Sequence, residues 1–273
     1  MKPFFSIIIP TLNEEKFINP TLLNLVKQQI KDFEVIIVDA LSSDKTKEIV
    51  ARFKNVIPLR WIDSDKKNVA YQRNIGAEKA HGLFLFFLDA DTRISSSFLS
   101  KAKQYIKKNK GLLYIPALRS ENHNPETLIA FNFVNLIIGL SQNIEKPICS
   151  GGSMIVEKNL FHFIGGFSEK AFMSEDHQLV QKARLHGVKA RFMDNIMVKP
   201  SLRRLKKEGK LQVLYKYLII TIHFFLNGKV DKKIIEYEMG GQLYNRKEKR
   251  WGMDALFNYS LTQIKDFIRN IFS

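Results

Sequence analysis

Hydrophobic residues in this chain gather into short unbroken runs, with amphipathic stretches between them. Residues 4–9, 33–38, 56–62 and 83–88 are such runs. Apolar runs of this length without alternation mark strands buried on both faces, as in a parallel sheet. Between the first two, Ile18, Leu22, Leu25, Val26 and Gln29 recur at helical spacing. Asn13 is expected to cap that helix, with Glu14 and Glu15 favourably placed at its positive end. Residues 45–53 and 68–80 predict two more helices, the second stopped by His81-Gly82. Strand–helix–strand alternation over residues 4–92 predicts an α/β fold with a mostly parallel sheet flanked by helices.

Further along, residues 98–108 predict a helix and 111–116 a strand. Residues 149–156 predict a strand opened by Gly151 and Gly152. A helix follows Glu175-Asp176 and stops at Gly187, and residues 188–193 form a last strand. Residues 128–140 are almost entirely apolar, too short to span a bilayer, and fit either a core helix or an interfacial one. Beyond Pro200 a basic loop leads into an aromatic stretch, and the chain closes on an amphipathic pattern over residues 256–272.

The run 84–88 ends at Asp89-Ala90-Asp91. An unpaired charge has no place inside a buried strand, so both acids are expected just past its C-terminal end. Ligands bind at that edge in open α/β sheets. Side chains alternate along an extended segment, so Asp89 and Asp91 can share a direction. Two carboxylates aimed at one spot repel unless a cation joins them. Hard oxygen ligands suit Mg²⁺ or Mn²⁺, with substrate phosphates completing the shell. The alternative is a solvated Asp-Ala-Asp turn. No glycine fingerprint of the dinucleotide or phosphate-loop type is present.

Charge changes the picture of the partners. The chain of 273 residues carries a net +16. Residues 199–250 alone hold fourteen Lys and Arg against five acids. Such a segment favours a nucleotide, nucleic acid or anionic membrane surface. No nucleic-acid motif or stacking series accompanies it, so nucleic acid is not expected. The one cysteine, Cys149, excludes an internal disulfide and fits a reducing compartment. Cys149 reads as a small buried residue without a histidine partner, and His177 as a surface or packing residue. No signal peptide or membrane span is expected.

The motifs taken together resemble family-2 glycosyltransferases, the inverting enzymes of GT-A fold. The resemblance rests on Ile7-Ile8-Ile9-Pro10-Thr11-Leu12-Asn13-Glu14-Glu15, on Val38-Asp39 with Ser42-Ser43-Asp44-Lys45-Thr46, and on Arg73-Asn74-Ile75-Gly76. It continues in Asp89-Ala90-Asp91, Ser150-Gly151-Gly152, Gly165-Gly166-Phe167 and Ser174-Glu175-Asp176. It covers residues 4–195. It implies a catalytic domain over 1–198, with a nucleotide-sugar half (1–92) and an acceptor half (93–198), and a basic, helical, membrane-associating segment over 199–273.

The resemblance also implies roles. Pro10, Thr11, Asn13, Glu14, Asp39, Arg73, Asp89, Ala90, Arg203 and Arg204 would hold a UDP- or GDP-type sugar donor, with Asp39 at the nucleobase. Asp91, with Asp89, would bind the metal. Gly151, Gly152 and Glu175 would meet a glycan or lipid-linked acceptor, and Asp176 would be the general base. Adjacent helical side chains diverge, so only one of Glu175 and Asp176 is expected to face the cleft. The second loop reads Asp39-Ala40-Leu41-Ser42 where many members carry another acid and a glycine. The polymerase motif Gln-x-x-Arg-Trp is absent, because Arg246 precedes Lys249-Arg250-Trp251 where its glutamine would stand. Single-sugar transfer on the cytoplasmic face of a membrane is the expectation. A non-catalytic nucleotide-sugar or membrane-binding module on the same fold is the alternative.

Overall fold

The computed structural model describes residues 2–121, 125–149, 152–171 and 174–203. Gly151, Arg204 and the segment 204–273 lie outside the described residues, and with them the expectations placed there.

Four strands form the first half of the sheet: β1 (Phe5–Thr11), β2 (Phe33–Asp39), β3 (Leu59–Asp63) and β4 (Phe84–Leu88). They lie in the order β3-β2-β1-β4, and all three pairings are parallel. α1 (Ile18–Val26), α2 (Thr46–Ala51) and α3 (Val69–Glu78) make the crossovers. The buried faces divide as expected of a doubly covered sheet. Ile7 and Ile9 pack with Leu22 and Leu25 of α1, whereas Ile8, Ile36 and Val38 pack with Ala70 and Ala77 of α3. Gly76 is what lets α3 lie close, since a Cβ there would meet Ile8 Cγ2 at 2.4 Å.

The second half is mixed. After the short β5 (Arg93–Ile94) come α4 (Phe98–Asn109), β6 (Leu113–Leu118), α5 (Pro125–Ser141), β7 (Ser153–Glu157), α6 (Lys158–Phe163), α7 (Glu175–Leu185) and β8 (Arg191–Lys199). The whole sheet runs β3-β2-β1-β4-β7-β6-β8-β5. β7 enters antiparallel to both β4 and β6, β8 pairs parallel with β6, and β5 antiparallel with β8. Four of the seven pairings are therefore parallel.

Several local expectations are corrected. α1 begins at Ile18, and Asn13 does not cap it. Asn13 instead adopts φ 55°, which asparagine tolerates better than most residues, and its side-chain oxygen accepts the Ser43 amide. β5 and α6 carry too few residues to show a period. α5 is neither wholly core nor wholly outside. Ile138 is buried, and Asn135 brackets Leu118 by donating to its carbonyl and accepting from its amide, each at 2.8 Å. Ile129, Phe133, Leu136 and Leu140, spaced at helical intervals, are all exposed. Among the described residues no helix is long and apolar enough to cross a membrane.

Candidate active site

The C-terminal ends of β1, β2 and β4 face one another across the sheet edge, and the loops leaving them are laced together. Asp39, the last residue of β2, is buried. Its Oδ1 accepts the Thr11 hydroxyl (2.7 Å) and the Ser42 hydroxyl (2.6 Å), and its Oδ2 accepts the Ser42 amide (2.8 Å). The Asn13 amide donates to Ser42 Oγ, the Glu14 amide to Thr46 Oγ1, and the Glu15 amide to Asp44. Gln72 of α3 donates to the carbonyls of Thr11 and Val38, fastening the helix to the same edge. Five sequence-predicted positions, Pro10, Thr11, Asn13, Glu14 and Asp39, are thus one prearranged wall.

Arg73 lies beneath this edge with 2% of its surface exposed. α3 starts cleanly, because Asn68 caps it by accepting the Tyr71 amide, and one turn later Arg73 points across the sheet end. Its Nη2 donates to Asp89 Oδ1 at 3.0 Å. Its Nη1 donates to Glu175 Oε1 at 3.2 Å and Asp176 Oδ1 at 2.9 Å. Burial alone would lower the arginine pKa, but Asp176, Asp89 and Glu175 outweigh it and raise it. The guanidinium therefore joins the end of β4 to the start of α7, the two halves of the fold. Arg73 was expected among the donor contacts; in the structure its two terminal nitrogens engage carboxylates from below.

Both members of the Glu175-Asp176 pair reach the same Nη1, which corrects the expectation that only one would face inward. They occupy the first turn of α7, next to Ser174, where short reaches to a common partner are available to each. Burial, with Asp176 adding to it, raises the Glu175 pKa to about 7 against the pull of Arg73. Asp176 Oδ2 also accepts the Gly152 amide at 3.1 Å, while the Gly152 carbonyl accepts the Asp89 amide at 3.1 Å. Gly152, expected at the acceptor, is here a spacer between the two acids. Its φ is 88°, and a Cβ would stand 2.0 Å from Asp89 Oδ2, so a side chain would displace the carboxylate.

Asp91 meets a second arginine. Arg203 Nε donates to Asp91 Oδ2 at 2.7 Å, and its two terminal nitrogens fork onto Glu14 at 2.6 and 2.8 Å. Its guanidinium also lies 4.6 Å from the centre of the Phe17 ring. Burial raises the pKa of Glu14 to about 7 despite Arg203, and raises that of Asp91 as well. Asp89 is likewise raised by burial, with Arg73 opposing. Asp89 keeps 39% of its side chain open, against 13% for Asp91.

The donor set fits a hard divalent cation. The acids are adjacent, oxygen-bearing and short of positive charge, and Arg203 already places a cation against Asp91. Among the described residues no three His, Cys, Asp or Glu side chains form a metal cage. The protein would supply Asp91 and Asp89, and diphosphate oxygens the rest, as Mg²⁺ sites commonly do.

Three functional contributors were not singled out from sequence. Gln72 and Asn74 flank Arg73, and Asn74 accepts the Phe167 amide and donates to its carbonyl, clamping the loop that follows α6. Ser42 orients Asp39. Asn74 and Ser42 lie inside motifs already noted and Gln72 immediately precedes one, which was the available signal. Cys149 does have a histidine neighbour: its Sγ is 3.4 Å from His177 Nδ1. Burial pushes the thiol well up and the imidazole down to about 4, so the pair is neutral and not primed for attack.

The family model "Glycosyl transferase family 2" matches residues 6–165. The chain belongs to glycosyl transferase family 2. Among its relatives is poly(ribitol-phosphate) beta-N-acetylglucosaminyltransferase TarS of Staphylococcus aureus, 31% identical over 122 residues, which are 43% of this chain and 21% of that protein. Another is the GalNAc(5)-diNAcBac-PP-undecaprenol beta-1,3-glucosyltransferase of Campylobacter jejuni, 31% identical over 116 residues, 41% of this chain and 37% of that one. Both matches span well under two thirds of the relative. The fold of this family-2 chain is similar to the mannosyltransferase PcManGT of Pyrobaculum calidifontis solved with GDP-Man and Mn²⁺, at TM-score 0.66 and 20% identity over 82% of this chain and 65% of that one. It is also similar to S. aureus TarS 1–349 in complex with UDP-GlcNAc, at TM-score 0.59 and 23% identity over 71% and 57%.

Proposed function

We propose that this family-2 chain is a metal-dependent inverting glycosyltransferase. It moves one sugar from a UDP- or GDP-type donor to an acceptor hydroxyl or phosphate. The observation that carries the reading is the Arg73 bridge. One guanidinium holds the strand-end acid Asp89 and the helix-start acid Asp176 in one cleft, with Gly152 between them. That arrangement suits displacement at an anomeric carbon. Asp176 takes the proton of the acceptor hydroxyl as its oxygen bonds to the anomeric carbon from the far face. The bond from that carbon to the diphosphate breaks, and its electron pair leaves with the nucleoside diphosphate. Attack from the far face inverts the centre. A divalent ion at Asp91 and Asp89 would offset the charge building on the leaving group. Arg203, beside Asp91, would meet the same phosphates. The UDP-GlcNAc and GDP-Man complexes of the structural neighbours support a nucleotide-sugar donor.

The acceptor side of the proposal is lipid-linked or surface glycan at the cytoplasmic face of a membrane. Two observations support peripheral attachment. α5 exposes Ile129, Phe133, Leu136 and Leu140, and residues 127–144 contain no Asp, Glu, Lys or Arg. The basic excess of residues 199–250 follows the last strand, and each Lys or Arg near an anionic leaflet contributes about 1 kcal/mol. The undecaprenol-linked substrate named for the C. jejuni relative is of the same kind.

Donor turnover tests the catalytic reading. A panel of UDP- and GDP-sugars with Mn²⁺ should show binding as a thermal shift and slow hydrolysis, lost in EDTA and in Asp91→Ala. Full activity of that variant, or no nucleotide binding at all, would sink it. Binding to neither neutral nor anionic vesicles would count against the membrane reading, and equal binding to both would count against the part given to the basic segment.

A further inference from the structure

Thr21 is a polar residue on an apolar face. The other buried residues of α1, Ile18, Leu22 and Leu25, are aliphatic, and Thr21 itself is 0% exposed. A valine would fill the same space, so packing does not account for the hydroxyl. Threonine within a helix commonly donates to the carbonyl one turn back, but here that distance, to the Phe17 carbonyl, is 3.4 Å. The hydroxyl lies much closer to the carbonyl of Ala90, at 2.6 Å, with that of Thr92 at 3.3 Å. Arg93 completes a chain. Its Nη1 donates to Thr21 Oγ1 at 2.6 Å, and the hydroxyl passes its own proton to the nearest carbonyl, that of Ala90. A charged donor at one end strengthens the bond beyond it.

Ala90 stands between Asp89 and Asp91, and its carbonyl belongs to the peptide plane that joins Ala90 to Asp91. The Thr92 amide donates to the Asp89 carbonyl at 3.1 Å and closes the turn. We infer that Thr21 and Arg93 are positioning residues for the divalent ion: by holding the Ala90 carbonyl they fix the rotation of the peptide plane that sets where the Asp91 carboxylate points. Side chains two residues apart share a direction only while the peptide between them keeps its rotation. With the carbonyl released, Asp91 is free to turn away from Asp89. Groups behind a metal's ligands commonly set its affinity in this way. The inference rests on the metal-dependent reading of the site.

Electron paramagnetic resonance of free Mn²⁺, titrated with the full chain in the presence of UDP or GDP, tests it without turnover. Thr21→Val keeps the branched shape and removes the hydroxyl, whereas Thr21→Ser keeps the hydroxyl. Thr21→Val is expected to lose about tenfold or more in Mn²⁺ affinity, the scale of an outer-shell partner, and Thr21→Ser to bind close to wild type. Arg93→Met, at a half-buried position, should fall between the two. In donor hydrolysis the half-saturating Mn²⁺ concentration of Thr21→Val should rise, with kcat at saturating metal nearly unchanged. A purely structural role does the reverse, lowering kcat through fewer folded molecules at an unchanged Mn²⁺ requirement, and that result would overturn the inference. So would wild-type Mn²⁺ affinity in Thr21→Val or, should that variant not fold, in Arg93→Met. Thr21→Ser as weak as Thr21→Val would also overturn it, by placing the effect in packing. Failure of the metal-dependent reading looks different: the wild type itself would bind no Mn²⁺ with either nucleotide.

Discussion

Arg73→Met offers the most direct test of how the site is held. The substitution keeps much of the side-chain volume and removes the charge. Asp89, Glu175 and Asp176 would then share a buried corner without their common cation. Breaking a buried ion pair from one side typically costs about 3–5 kcal/mol, a large part of a domain's stability. The cost must depend on pH. Without Arg73 the acids keep protons that the wild type does not hold, so the variant binds more protons when folded than when unfolded. Each such proton makes the loss grow by about 1.4 kcal/mol per pH unit. Denaturant unfolding at pH 7.5 should show a deficit of about 3–5 kcal/mol, shrinking to about half or less at pH 5.5. Arg73→Lys keeps a charge but not the fork that serves two directions at once, so its deficit should be smaller. An equal deficit at both pH values would mean the arginine acts through packing alone. No deficit at either would remove it as the bridge between the two halves.

Asp176→Asn keeps the shape and one of the two accepted bonds, from Arg73 or from the Gly152 amide, but cannot take a proton. It should lower kcat by about 10²–10⁴ while leaving donor affinity near wild type, and near-normal turnover, or complete loss in Glu175→Gln instead, would move the base elsewhere. Glu14 and Glu175 are each raised from 4.5 to about 7 by burial, so the stability they contribute is full below pH about 4.5 and is lost as pH rises through about 7. In EDTA the protein should therefore melt higher at pH 5.5 than at pH 8, with about 3 kcal/mol as the upper scale for each acid, and the opposite order would contradict the burial argument. Asp39 already accepts three protons' worth of donors from Thr11 and Ser42, leaving one of a carboxylate's about four acceptor positions. If Asp39 meets the nucleobase as the resemblance implies, one ring N–H of uracil fits that position better than the adjacent ring N–H and amino group of guanine, so UDP should bind more tightly than GDP in calorimetry.

The sequence is legible where one physical rule dominates. The run Phe84 to Leu88 could only be a buried strand, and the acids after it could only lie at its end. Helix α3 was legible to within two residues: 68–80 was expected, and Val69–Glu78 is found with Asn68 as its cap. Contacts between distant residues were not legible in the same way. Nothing local to Arg203 says that it forks onto Glu14, and nothing near Cys149 says that His177 faces it. Asn13 shows the limit most clearly. Its type is right for a helix cap, but a cross-loop bond to Ser43 competes for the same oxygen and prevails. The family motifs named residues that the structure gathers at one sheet edge, yet they did not distinguish a residue open to that edge from one beneath it. Arg73 and Gly152 prove to be supports for the acids, which only their burial and spacing reveal.

The charge balance of the cleft explains why those supports are needed. Five carboxylates, Glu14, Asp89, Asp91, Glu175 and Asp176, converge on two guanidiniums, Arg73 and Arg203. Burial pushes Glu14, Asp89, Asp91 and Glu175 upward, and repulsion among the acids adds to it. The two arginines are not equivalent. Arg73 is wholly buried and bound to three acids, so it fixes the distance between the end of β4 and the start of α7. Arg203 belongs to the end of the described chain, and its partners are the acids nearest the donor wall. An anionic diphosphate arriving alone would add to the negative charge and, among the described residues, compete with Asp91 and Glu14 for Arg203. A diphosphate arriving with a divalent ion brings its own compensation and frees Arg203 to meet the phosphates. On this reading metal dependence follows from the count of carboxylates as much as from the Asp89-Ala90-Asp91 spacing, and donor and metal should bind as one unit.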